Sequence, residues 1–176
     1  MKTFFHSNLF NTIFYHYSNL SNNFKSFNLE ILQWFVGFVD AEGCFFIWIR
    51  SDNTATFRFL LGFHINELPL LNNLKNIFNC SSITVSKTAC FFEITSKKDI
   101  QNIIIPIFEY FPLNSTKYLD YQDFKKAFEI YTSENYSKDD DLIKIKFLKS
   151  NMNKARKLNN FNKIVHITPS WLLGFS

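Results

Sequence analysis

In the stretch 29–42, LEILQWFVGFVDAE, the apolar residues Leu32, Phe35, Val36 and Val39 recur three and four positions apart, which puts them on one face of a helix. Gly43 is a natural stop for it. Beyond that glycine the period changes. Phe45, Ile47 and Ile49 alternate with Cys44, Phe46, Trp48 and Arg50, a strand with at least one buried face, and Ser51, Asp52 and Asn53 make the turn. The return strand runs from Thr56 to about Phe63, with Phe57, Phe59, Leu61 and Phe63 on the core side, and puts Arg58 on the same non-core face as Arg50.

The pattern then repeats. Asn66 is placed to cap a helix over 68–78, and residues 81–87 and 89–95 form a second hairpin turning near Lys87 and Thr88. Ser96, with Asp99 three residues later, opens a helix toward Tyr110 that Pro106 should kink. Residues 112–116 break the pattern, and a helix from about Tyr118 to Tyr131 follows. After a polar linker the last helix starts at Asp140 or Asp141 and ends near Asn159. The expected fold is α+β, with one antiparallel sheet and helices packed on one face.

Two features of the first helix ask for an explanation. A mid-helix glycine costs about 1 kcal/mol relative to alanine, so Gly37 implies a very close neighbour, most simply another helix backbone. Asp40 and Glu42 lie at the negative end of the helix dipole, where each meets a penalty of a few tenths to about 1 kcal/mol unless a cation compensates. A bound divalent metal is one such cation, and a solvated acidic loop is the plain alternative. The same two acids and two glycines exclude a membrane span.

Composition adds a setting. The 176 residues suit one well-packed domain, and 47% hydrophobic with 19% charged residues is globular. Abundant Phe, Asn, Ile and Lys point to A/T-rich codons and an organellar genome, mitochondrial or plastid. The net charge of +4 is unevenly spread: between Leu142 and Lys163 lie Lys144, Lys146, Lys149, Lys154, Arg156, Lys157 and Lys163 with no acid, a block suited to a phosphate backbone. Cys44, Cys80 and Cys90 show no metal or disulfide spacing and read as small apolar residues. Residues 1–28, without a single Asp or Glu, read as an extension outside the fold.

Near the C-terminus, residues 167–175 echo 30–38: Trp171 lies on Trp34, Gly174 on Gly37 and Phe175 on Phe38, each 137 positions on. Ser176 falls on Val39, just before a second pair of acids would come.

The decapeptide Trp34 to Gly43 resembles the signature of the LAGLIDADG homing endonuclease family, with the glycine, both acids and the final glycine in register and Phe35 and Val36 at the first two family positions. The resemblance continues through FHINELPLLNNLKNIF, FPLNSTKYLDYQDFKKAF and SNMNKAR, covering roughly residues 29–176. It implies the αββαββα fold of one half of such a protein over 29–160. Residues 161–176 would be a linker and the truncated start of a second motif.

It further implies a site-specific double-strand DNA endonuclease that hydrolyses phosphodiesters with Mg2+ to promote intron homing. Glu42 is then the catalytic, metal-binding acid. Asp40, the first acid of the motif, shares the metal or orders the helix ends. Lys117 stands near the scissile phosphate, and Gly37, Gly43 and Gly174 lie at the helix interface. The sheet face away from the helices would meet double-stranded DNA through Arg50, Arg58, Ser86 and Glu93, with Lys154 and Arg156 added from the basic block. Phe46, Trp48 and Leu60 make that face less polar than groove reading ordinarily requires. The implied partner is a second half, whether the missing C-terminal part or another copy. An intron RNA maturase and an inactive, decayed or partial reading frame are the alternatives.

Overall fold

The computed structural model describes residues 28–156 and 167–176. Helix α1, Leu29–Glu42, starts from Asn28, whose side chain accepts from the Glu30 amide, and buries Leu32, Phe35, Val36 and Val39 as their spacing requires. Strands β1, Gly43–Ile49, and β2, Ala55–His64, form the first hairpin in the register Phe45 to Phe59 and Ile47 to Phe57. Its turn is closed by Asp52, which accepts from the Thr54 amide, and by Asn53 at φ 64°. Helix α2, Leu68–Phe78, leads to the second hairpin, β3, Ser82–Val85, and β4, Ala89–Ile94.

All four strands are antiparallel in the order β1-β2-β4-β3. One face buries Phe45, Ile47, Phe57, Phe59, Leu61, Cys90, Phe92 and Ile94. The ring of Phe45 lies 5.4–5.5 Å from those of Phe59, Phe108, Tyr121 and Phe124, and such pairs add about 0.5–1.5 kcal/mol each beyond area burial.

Helix α3 comes in three pieces, Lys97–Asp99, Ile100–Ile104 and Ile105–Tyr110. The middle piece is π-helical, and this wide turn, in which the Ile105 amide donates to the Ile100 carbonyl, takes up the strain of Pro106. Helix α4, Lys117–Thr132, packs on β1 and β2, and α5, Lys138–Asn151, packs on α4. Last comes α6, Pro169–Phe175. Among the described residues no helix is long and apolar enough to cross a membrane, and the three cysteines are free.

Gly43 stops α1 as expected, in an extended conformation (φ −70°), and a Cβ there would collide with Val39 of its own helix. Two local expectations are corrected. Asn66 is not a cap: His64 accepts from its amide and starts a short 3-10 turn, Ile65–Glu67, ahead of α2. Helix α5 stops at Asn151 instead of near Asn159, because Met152 is extended and Asn153 takes the left-handed region at φ 55°. Residues 1–27 and 157–166, and with them nearly all of the expected extension and most of the expected linker, lie outside the described residues.

Candidate active site and helix interface

Helix α6 lies against α1 with no side chain between the backbones at two points. A Cβ on Gly37 would be driven into the carbonyl of Trp171, and one on Gly174 into the carbonyl of Trp34. The contact is reciprocal, as a two-fold relation between two copies of one motif requires. The indoles confirm the relation: Trp34 stacks on Phe38 at 4.9 Å and 17°, and Trp171 on Phe175 at 4.9 Å and 14°. The motif residues differ only in their outer surroundings. Phe35, Val36 and Phe38 of α1 are buried, whereas Leu172, Leu173 and Phe175 of α6 are exposed.

The α1 acids separate in role. Asp40 is buried, and three N–H groups converge on its carboxylate: the Asn114 amide at 2.7 Å, the Ser115 amide at 2.8 Å and Trp171 Nε1 at 3.0 Å. The resemblance names Asp40 as a metal ligand or an orderer of helix ends, and these three bonds tie helix ends together. Asp40 pins the loop before α4 to the end of α1 and fastens α6 to both.

That pinned loop delivers Lys117, the first residue of α4. Its ammonium donates to the Ala41 carbonyl at 2.6 Å, satisfying one of the orphan carbonyls at the end of α1 and placing a cation at the negative pole of the dipole. Burial pulls the Lys117 ammonium below its ordinary pKa, and the charge of Glu42 is the foremost influence opposing it. Glu42 itself is exposed and makes no hydrogen bond among the described residues. Cys44 completes the neighbourhood; burial raises its thiol, against the pull of Lys117.

A second clasp, which the sequence pattern did not disclose, holds the start of β1. Arg156 reaches Asp123 at 2.7 Å and Asp120 at 3.2 Å, Asp120 also accepts from the Asn153 amide, and the Asn153 side chain donates to the Phe45 carbonyl at 2.9 Å. Arg156, expected as a DNA contact, therefore has its guanidinium engaged by two carboxylates. Asn153 carries the one legible signal, since asparagine is among the few residues that tolerate positive φ.

The other expected DNA residues divide likewise. Arg58 and Glu93 face the non-core side as neighbours on β2 and β4, 3.1 Å apart. Theirs is a charge contact without hydrogen-bond alignment, so Glu93 Oε1 has no hydrogen-bond donor. Ser86 closes the β3–β4 turn through Ala89. Arg50 and Lys154 make no ion pair among the described residues and sit together at the edge of β1. Phe46, Trp48 and Leu60 share the sheet face, as their alternation implies, with Trp48 half exposed.

For a metal, Glu42 offers an exposed, hard oxygen donor of the kind magnesium or calcium takes alongside waters and substrate phosphate. No cluster of three or more potential ligands exists among the described residues, so the fit extends to this one carboxylate.

An α+β unit that pairs its first helix, glycine to carbonyl, with a repeat of that helix and ends it in one sequestered and one free acid is a half-module built around a paired helix. The model of the LAGLIDADG endonuclease family matches residues 35–128, and the chain belongs to that family. Over 99% of its length it is 27% identical to the probable intron-encoded endonuclease Cox1-I1b of Schizosaccharomyces pombe, spanning 47% of that protein. It is 29% identical to the mitochondrial protein RF1 of Saccharomyces cerevisiae, spanning 37% of it. The chain thus spans about half or less of these curated relatives. Among solved structures, the meganuclease I-SmaMI bound to uncleaved DNA in the presence of calcium ions superposes with a TM-score of 0.74 at 28% identity, over 82% of this chain and 56% of that one. I-CpaMI bound to uncleaved DNA gives 0.72 at 26%, over 85% and 60%.

Proposed function

We propose that this chain supplies one catalytic half of a mitochondrial, intron-encoded, site-specific DNA endonuclease that cuts both strands of its target. The reading rests on one observation: the reciprocal contact of Gly37 with Trp171 and Gly174 with Trp34, which sets the free carboxylate of Glu42 at the end of a two-fold helix pair. A second acid related to Glu42 is then needed for the second strand, and the sequence through Ser176 does not carry it. A second LAGLIDADG half or a second copy would provide it.

In this reading Glu42 holds the divalent cation, magnesium by its preference for oxygen ligands and retained waters. Such a cation, when bound, neutralises charge at the scissile phosphate and lowers the pKa of a water nucleophile. Lys117, already beside Glu42 and fixed by Ala41, places a positive charge where the leaving oxygen gains negative charge. The Arg58–Glu93 pair and the apolar Phe46, Trp48 and Leu60 lie along the major groove, the arginine suited to guanine and the apolar groups to thymine methyls. The intron RNA alternative is not favoured, since the matched family and the DNA-bound neighbours both lie on the endonuclease side.

The test is Glu42→Gln in the complete protein. It should abolish metal-dependent nicking of a duplex carrying the target while DNA affinity stays within a few-fold; undiminished cutting would overturn the assignment.

A further inference from the structure

We infer that the basic hollow between the tip of the β1–β2 hairpin and the end of α5 is a seat for the phosphate backbone of the bound duplex, outside the groove-facing sheet. This rests on the DNA reading above.

The hollow is about 600 Å³ in volume and is walled by Arg50, Lys146, Lys149 and Lys154, with Ser150, whose hydroxyl donates to the Phe147 carbonyl at 2.7 Å, beside them. Among the described residues no carboxylate lines it. Four other cations are ion-paired: Arg58 with Glu93, Lys125 with Glu109, Lys144 with Asp141 and Arg156 with Asp120 and Asp123. The four around the hollow form no ion pair among the described residues. The nearest acid of the turn, Asp52, is turned to Thr54 through two hydrogen bonds to its Oδ1. Four cations converging on one concavity repel one another, and a phosphodiester relieves that repulsion.

Position selects the backbone of the duplex as the occupant. By strand parity Arg50 shares the sheet face of Phe46, Trp48 and Arg58, so the hollow opens at the rim of the surface assigned to the groove. It lies about eight residues of extended chain, roughly 26 Å, from Glu42, since β1 rises about 3.3 Å per residue. At 3.4 Å per nucleotide along one strand, the seated phosphate falls on the order of eight nucleotides from the cut.

The experiment compares the full chain with its Lys146→Gln/Lys149→Gln/Lys154→Gln variant, each titrated with salt against a 30-base-pair duplex. Lys75→Gln, an exposed lysine on α2, controls for loss of charge. At about 0.9 per phosphate contact, the slope of log K against log salt should become shallower by roughly 1, for the one seated phosphate, in the triple variant and stay put in the control. Phosphate ethylation interference in the wild type should include a phosphate about eight nucleotides from the cut, lost in the triple variant. An unchanged slope in a triple variant with wild-type melting temperature would overturn the seat. If the wild type fails to bind duplex DNA, the endonuclease reading falls; protection of the fold by inorganic tripolyphosphate, lost in the triple variant, then still supports a phosphate seat, and no protection overturns it. Slope loss with single-stranded RNA and none with duplex DNA overturns the duplex as occupant.

Discussion

Trp171 Nε1 donates to Asp40 Oδ2 at 3.0 Å across 131 positions of sequence, joining the last helix of the chain to the last turn of the first. The bond is buried, and it makes the first motif acid a fastener between two copies of the motif helix. Hydrogen bonds to charged groups contribute about 1.5–3 kcal/mol, and a carboxylate in a dry site loses one of its three donors if the indole goes. Trp171→Phe, which keeps the ring contact with Phe175, should therefore cost about 1.5–3 kcal/mol in urea denaturation. A loss under about 0.5 kcal/mol would mean that the Asn114 and Ser115 amides suffice for Asp40.

The glycine contacts are stricter, because what a Cβ meets there is backbone. Gly37→Ala gains up to about 1 kcal/mol of helix propensity, yet the Trp171 carbonyl cannot rotate away, so the helices must part. The net cost expected is about 1–3 kcal/mol, with a red shift in Trp171 emission measured in a background where Trp34 and Trp48 are replaced by Phe. Gly62→Ala is the comparison: its Cβ would meet only ring atoms of Phe91, at 3.0 and 3.1 Å, which a small swing relieves. It should cost less than Gly37→Ala in the same urea titration.

Why some of this was legible in the sequence and some not follows from which groups carry the contact. Gly37 and Gly174 are visible because backbone-to-backbone approach restricts residue type at both positions, and the restriction repeats with Trp34 and Trp171. The hairpins and core faces are visible because burial imposes a period. That Asp40 orders the helix ends is implied by the motif resemblance, but its partners are not visible, because two of the three are main-chain amides in a loop, and an amide carries no residue identity. Arg156 likewise counts as free charge in a basic run until folding brings Asp120 and Asp123 to it from α4. The hollow at Arg50 joins residues about a hundred positions apart, with no local pattern linking them.

The clasp at Arg156 gives a graded prediction. Asp120 is buried and accepts from both the Asn153 amide and Arg156, while Asp123 meets Arg156 alone. Asp120→Ala should cost about 1.5–3 kcal/mol, because it removes a buried, charged acceptor of two hydrogen bonds, whereas Asp123→Ala should cost about 0.5–1 kcal/mol, as a partly exposed pair does. A double-mutant cycle with Arg156→Met separates the pair energies. Equal losses for the two aspartates would show that the Asn153 amide finds another acceptor.

Lys117 yields a pH dependence whose sign is fixed by the direction of its shift. Burial lowers its pKa in the folded chain below the 10.5 of the unfolded one, so between these two values the unfolded state binds more protons. Stability contributed by this group therefore rises with pH through that window and is flat below it, the reverse of a lysine stabilised by a partner such as Lys144. Urea midpoints taken from pH 7 upward should show the wild type gaining on Lys117→Met as pH approaches 10.5, with no change in their difference at neutral pH. Glu42→Gln removes the main attraction holding the ammonium charged, so the rise should begin at lower pH in that variant. If Glu42→Gln leaves the onset where it was, the two groups are not electrostatically coupled, and Lys117 cannot be acting on the same phosphate that Glu42 serves.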